Sequence, residues 1–168
     1  SSVMGMGGMF NSATSFNANL SPWDVSKVTD MNHMFFNASS LNADLSPWNV
    51  SKVTDMSYMF GSASSFNADL SPWNVSSVTG MRAMFLLTTR LRAIDMSLWH
   101  VRKVTSMVNM FKKSESLREV RLPPSLLKID AGVFAGCQSL NDVAIPAGVK
   151  IIAEGAFLGC SALRTFSI

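Results

Sequence analysis

Residues 45–60 read LSPWNVSKVTDMSYMF, and residues 20–35 have just read LSPWDVSKVTDMNHMF. Self-similarity at a fixed period decides architecture before any local assignment. Here Trp23, Trp48 and Trp73 are spaced by 25 residues, and Trp99 follows at 26. The pair Met9-Phe10 recurs as Met34-Phe35, Met59-Phe60, Met84-Phe85 and Met110-Phe111, each led by a further methionine: Met6, Met31, Met56, Met81 and Met107. A unit this short cannot bury its own apolar face. Stacked copies cover one another and build a continuous core.

After residue 113 the phrase changes to LREVRLPPSLLKIDAGVFAGCQS, then LNDVAIPAGVKIIAEGAFLGCSA and LRTFSI, and the period shortens to 23, marked by Leu117, Leu140 and Leu163. One internal ruler survives the change. Six residues after each column Phe stands Phe16, Leu41, Phe66, Leu91, Leu117, Leu140 or Leu163, and three residues after it a small residue: Ala13, Ala38, Ala63, Thr88, Ser114, Cys137 and Cys160. The chain is therefore expected to be one solenoid of about seven coils without a linker, with 25-residue repeats over 1–113 and 23-residue repeats over 114–168.

Within a coil, LSPWDV places Leu20, Trp23 and Val25 in an L-x-x-L-x-L-like pattern, which suggests a short strand whose counterparts are LREVRL, LNDVAI and LRTFSI. SKVTD then turns the chain, with Val28 inward and Thr29 or Asp30 placed to cap a helix start. Met31, Met34 and Phe35 fall at i, i+3 and i+4, which predicts a short helical turn. The expected fold class is an α/β solenoid: a leucine-rich-repeat-like right-handed coil of short parallel strands and short helical turns. Trp48, Val50, Val53, Met56, Met59 and Phe60 are expected to face inward.

The second repeat type resembles the BspA-type surface-antigen leucine-rich repeat, with its I-P-x-x-V-x-x-I-x-x-x-A-F-x-G-C-x-x-L hallmark. The first is similar to the 25-residue surface-lipoprotein repeat of Mycoplasma lipoprotein type, with its W-[DN]-V-S-x-V-T-D-M-x-x-M-F core. The resemblance implies a non-enzymatic module for adhesion or protein binding, extracellular or at a cell surface. The departures cluster in the fourth coil, where Leu98 replaces proline, His100 replaces Asp or Asn, Ser106 replaces Asp, and Leu86-Leu87 replace mostly small or polar residues.

That coil opens a basic band. Residues 1–81 carry two lysines against five aspartates, whereas residues 82–128 carry ten bases against three acids. Such a band suits an acidic protein surface, a polyanionic glycan or lipid headgroups, or it is a solvated face. The candidate partner-binding residues are Arg82, Leu86, Leu87, Arg90, Arg92, Arg102, Lys103, Lys112, Lys113, Arg118 and Arg121, with a protein or an acidic glycan as partner. Nucleic acid is not expected, because the band lacks aromatic interleaving and any known module. No apolar run is long enough to span a membrane as a helix. The chain starts without methionine and both termini fall inside repeats, which points to a piece of a longer chain. It also supports the alternative of a structural or scaffolding subunit in a larger intracellular or organellar assembly, with neighbouring subunits covering the open ends.

The remaining chemistry is thin. His33 and His100 sit at different positions in their coils and share no ligand spacing. Asp24, Asn49 and Asn74, and Asp30 with Asp55, recur in ladders that can bind calcium but more often satisfy turn amides. Cys137 and Cys160 would be in reach of a disulfide across stacked coils, yet they occupy the Ala/Thr/Ser column, which favours buried free thiols. Asn37, Asn49 and Asn74 open glycosylation sequons, meaningful only along a eukaryotic secretory route. No catalytic constellation, cofactor loop or metal motif is recognisable, so no catalytic, cofactor or metal residue is assigned.

Overall fold

A computed structural model of the chain describes residues 3–167. The buried side chains form one cluster from Met6 to Ala156. Its spine is the Phe column: Phe10, Phe35, Phe60, Phe85, Phe111, Phe134 and Phe157 stack face to face, with successive ring centroids 5.2–5.8 Å apart. This stack crosses the change of repeat period unbroken, because the Phe is the fixed point of both repeats. Trp48, Val50, Val53, Met56, Met59 and Phe60 are all buried, as the repeat phrase predicts. Met9 and Trp23, in the first coil, are exposed because no preceding coil covers them among the described residues.

The expected helical turns are absent: no helix occurs among the described residues. The reason lies at two positions per coil, two residues before and two after the column Phe, where φ is positive. They are Gly8 and Ser12, His33 and Asn37, Tyr58 and Ser62, Ala83 and Leu87, Asn109 and Lys113, Gly132 and Gly136, Gly155 and Gly159. A left-handed residue every fourth position stops right-handed helix propagation. Backbone amides alternate instead between local and neighbouring acceptors. Met34 N–H donates to the Met31 carbonyl and Phe36 N–H to that of His33, while the amides of His33, Phe35 and Asn37 donate to Ser57, Met59 and Gly61 of the next coil. In successive coils this segment forms a turn row along the solenoid.

Strand pairing also differs from expectation. LSPW is a tight corner, not a strand: the Trp48 amide donates to the Leu45 carbonyl and Trp73 to Leu70. Among the described residues, strands occur only from the fourth coil on. β1 (Ala93–Asp95) pairs in parallel with β2 (Glu119–Arg121), β3 (Lys128–Ile129) with β5 (Ile151–Ile152), and β4 (Asp142–Ala144) with β6 (Thr165–Ser167). β2, β4 and β6 lie inside the expected LREVRL, LNDVAI and LRTFSI stretches; Ile168 falls outside the described residues. In the earlier coils the strand row is bridged by side chains, since Asn42 N–H donates to Asn17 Oδ1, Asn67 N–H to Asn42 Oδ1 and Arg92 N–H to Asn67 Oδ1, each at 2.8 Å. Among the described residues, their β-type pairing is confined to single parallel bridges linking Gly5, Asp30, Asp55, Gly80 and Ser106.

The two repeat types are joined by a substitution in the ladder. Met31, Met56 and Met81 each donate an amide to a backbone carbonyl of the next coil, but the Met107 amide donates to Asp130 Oδ2 at 2.7 Å. Lys128 Nζ, 2.7 Å from Asp130 Oδ1, holds that carboxylate in place. The indole column ends here too. Trp48, Trp73 and Trp99 donate Nε1 to the carbonyls of Leu20, Leu45 and Leu70, whereas the next coil turns its corner into Leu126. A cavity of about 100 Å³ opens beside this join, between Thr105 and Lys128.

Candidate partner-binding surfaces

The basic band does not form one patch. Its residues fall on three rows, because coil geometry separates residues only a few positions apart in sequence. Arg90, Arg92 and Arg118 flank β1 and β2 on the strand row and Arg121 ends β2; Arg82, Leu86, Leu87, Lys112 and Lys113 lie on the turn row; Arg102 and Lys103 lie between the corner and the Thr105 ladder. The structure joins neighbours within rows: Arg118 N–H donates to the Arg92 carbonyl, and Leu87 N–H to that of Lys112. All of these side chains are exposed except Leu86 and Lys112, which are half-buried.

On the strand row, β1 and β2 form a paired island with an opening on each side. One, about 290 Å³, lies between Asn67–Leu70 and Arg92–Asp95, where the asparagine ladder gives way to backbone pairing. The other, about 480 Å³, lies between β2 and β4, which are adjacent but unpaired, and is lined by Arg121, Leu122, Pro124, Ile145 and Pro146. Arg121 Nη1 meets Asp95 Oδ2 at 3.4 Å. The Ser97 side chain and amide, and more weakly Arg121, hold the Asp95 carboxyl below its ordinary range. Among the described residues the only ion pairs are this one and Lys128–Asp130, so Arg90, Arg92 and Arg118 point into solvent unneutralised.

The acidic columns cap turns. Asp24, Asn49 and Asn74 accept the amides of Ser26, Ser51 and Ser76, and Asp30 and Asp55 those of Asn32 and Ser57. Hydrogen bonds from Ser26 and Ser46 keep Asp24 and Asp44 below the usual carboxylate range. Among the described residues no three metal-ligating side chains come together. Thr29 caps no helix; its hydroxyl donates to the Met4 carbonyl, and Thr54, Thr79 and Thr105 repeat this bond one coil on. Cys137 and Cys160 are free thiols, each donating to the column-Phe carbonyl of the preceding coil at 3.1 Å.

A second group was not singled out by sequence reasoning. His33 and Tyr58 stack with centroids 4.7 Å apart at 12°, and Phe36 meets both edge-on. Arg82 Nε donates to the Tyr58 hydroxyl at 3.2 Å. The available signal was positional: these are the places where the repeat phrase admits almost any residue, and two consecutive coils fill them with aromatic rings.

Comparison with known proteins places the chain. Residues 4–121 match the family described as "Mycoplasma protein of unknown function, DUF285", and residues 84–168 the "BspA type Leucine rich repeat region (6 copies)". A leucine-rich cell surface protein from Faecalibacterium prausnitzii is 28% identical with a TM-score of 0.66, the match covering 83% of this chain and 36% of that one. A leucine-rich repeat protein from Bacteroides ovatus gives a TM-score of 0.73 at 22% identity over 98% of this chain and 41% of its own. The chain thus spans well under half the length of these solved structures. No curated protein matches it.

Proposed function

Because the chain belongs both to the DUF285 family and to the BspA-type leucine-rich repeat family, we propose that it is a non-enzymatic interaction module that holds a protein or acidic glycan against its strand row at a cell surface. The change of repeat type is placed at residues 113/114, within one continuous solenoid, and the 25-residue unit is taken as a surface-lipoprotein repeat. The observation that carries the reading is the set of unneutralised arginines, Arg90, Arg92 and Arg118, beside the β1–β2 island and its two openings. Repeat solenoids use such extended rows for recognition, and clustered charges of one sign steer an opposite partner. A surface location is supported by the name of the Faecalibacterium relative, and no helix among the described residues is long and apolar enough to cross a membrane.

The test is retention of the chain on immobilised heparin and on immobilised polyglutamate. Reversing Arg90, Arg92 and Arg118 to Glu should weaken binding about tenfold or more and leave the melting temperature within a few degrees, since all three are exposed and make no ion pair. Unchanged elution from both matrices overturns the proposal.

A further inference from the structure

His33 and Tyr58 stand at equivalent places in consecutive coils, at φ 53 and 59. The other coils carry Gly8, Ala83, Asn109, Gly132 and Gly155 there. Holding a β-carbon in this region is unfavourable relative to glycine, because it crowds the following carbonyl oxygen. Core packing does not ask for the two rings, because Met84 and Phe85 are fully buried in the coil that carries Ala83 there, and Phe134 in the coil that carries Gly132. Phe36 reaches the group across Gly61, where an added Cβ would lie 2.9 Å from its ring. Three half-buried rings are therefore assembled on the surface at a backbone cost, with Arg82 fixed to the Tyr58 hydroxyl and without an ion pair.

The chemistry of the surroundings selects the partner. From the second to the fifth coil, residues 31–37, 56–62, 81–87 and 107–113 hold no Asp or Glu, the preceding Asp30 and Asp55 being engaged by the Asn32 and Ser57 amides, and the row runs on from Arg82 through Leu87 to Lys112 and Lys113. Tyr and Arg dominate protein-binding hot spots, where an apolar anchor is ringed by polar contacts. Exposed leucine at Leu87 gives a sugar nothing to hydrogen-bond, but covers an apolar side chain well. We propose that His33, Phe36, Tyr58 and Arg82 form a second docking surface, for an acidic segment of another protein that seats an aromatic side chain on the rings and its carboxylates on Arg82 and the lysines. It is separate from the strand row and does not depend on it.

A labelled random copolymer of glutamate and tyrosine serves as probe, with polyglutamate and heparin as controls, read by fluorescence anisotropy. The chain should bind the copolymer about tenfold more tightly than polyglutamate, equivalent to one good aromatic anchor. Tyr58→Gly with Phe36→Ala should abolish that preference and spare heparin affinity. The Gly substitution preserves the backbone, since Gly8, Gly132 and Gly155 hold φ 64–67 at the same position. Arg82→Glu, on an exposed side chain, should weaken copolymer binding independently of any effect on folding. The proposal is overturned if no preference exists, if it survives the double substitution, or if heparin affinity falls as much as copolymer affinity, which would mark a glycan site instead. Reversal of Arg90, Arg92 and Arg118 should leave the preference for tyrosine intact, so the two surfaces fail separately.

Discussion

The second and third coils bridge their strand row with side chains; the sixth and seventh pair theirs through the backbone and place glycine at the left-handed positions. In the former, Asn42 and Asn67 bridge the strand row, indoles tie each corner to the coil before it, and His33, Asn37, Tyr58 and Ser62 occupy the left-handed positions. In the latter, β3–β5 and β4–β6 pair directly and Gly132, Gly136, Gly155 and Gly159 take those positions. Both solutions surround the same Phe stack. The difference teaches where exposed chemistry can accumulate: a left-handed glycine offers bare backbone, whereas a left-handed His or Tyr projects a side chain at every coil spacing. The left-handed positions of the 25-residue half can therefore carry recognition side chains, whereas those of the 23-residue half present glycine.

The comparison is broken most severely at the indole column. Trp73→Ala removes a buried ring and the bond to the Leu45 carbonyl, and should cost about 3–5 kcal/mol in urea denaturation. Trp73→Leu, which installs what Leu126 supplies in the shorter repeat, should cost visibly less. A loss below about 1 kcal/mol for the alanine variant would mean that the Phe stack alone holds the coils together.

Much of this was legible. Period, columns and buried face follow from spacing alone, because a solenoid repeats its contacts at every coil. The helical turns were misread because Met31, Met34 and Phe35 have helical spacing, and that pattern also fits a segment that bends left-handed every fourth residue. The corrective signal was present in AGVFAG and EGAFLG, where Gly132, Gly136, Gly155 and Gly159 flank the Phe at both left-handed positions. LSPWDV suits a strand by the L-x-x-L-x-L-like placing of Leu20, Trp23 and Val25, although Ser21 and Pro22 mark a corner. The basic residues were found, but their division among rows was not, since which side of a coil Arg82 or Arg118 faces depends on where each corner falls.

A smaller effect sharpens the join. Asp130→Ala leaves the Met107 amide without its acceptor and should cost about 1–3 kcal/mol. Asp130→Asn keeps an acceptor oxygen but gives up the charge held by Lys128, and should recover part of that loss. Equal stability of both variants with the parent would show that the amide is satisfied by water from the adjacent cavity.

The smallest effect concerns the thiols, which fill the column that holds Ala38, Ala63, Thr88 and Ser114 in the 25-residue half. Ser114 Oγ donates to the Phe85 carbonyl at 2.8 Å as Cys137 Sγ donates to that of Phe111, so Cys137→Ser should stay within about 1 kcal/mol of the parent. Burial first, and the neighbouring Cys160 second, push the Cys137 thiol up from its ordinary 9.0 to about 12, and burial raises Cys160 as well. A raised folded value means that the folded state keeps its proton where the unfolded chain loses it. Stability from this source is complete below pH 9 and declines as pH rises from there toward 12. At pH 8 Cys137 should therefore resist a thiol-disulfide reagent until the chain unfolds. Rapid labelling under native conditions, with the far-ultraviolet signal intact, would show that the 23-residue coils open on their own, and the join at Asp130 would then divide two cooperative units instead of running through one.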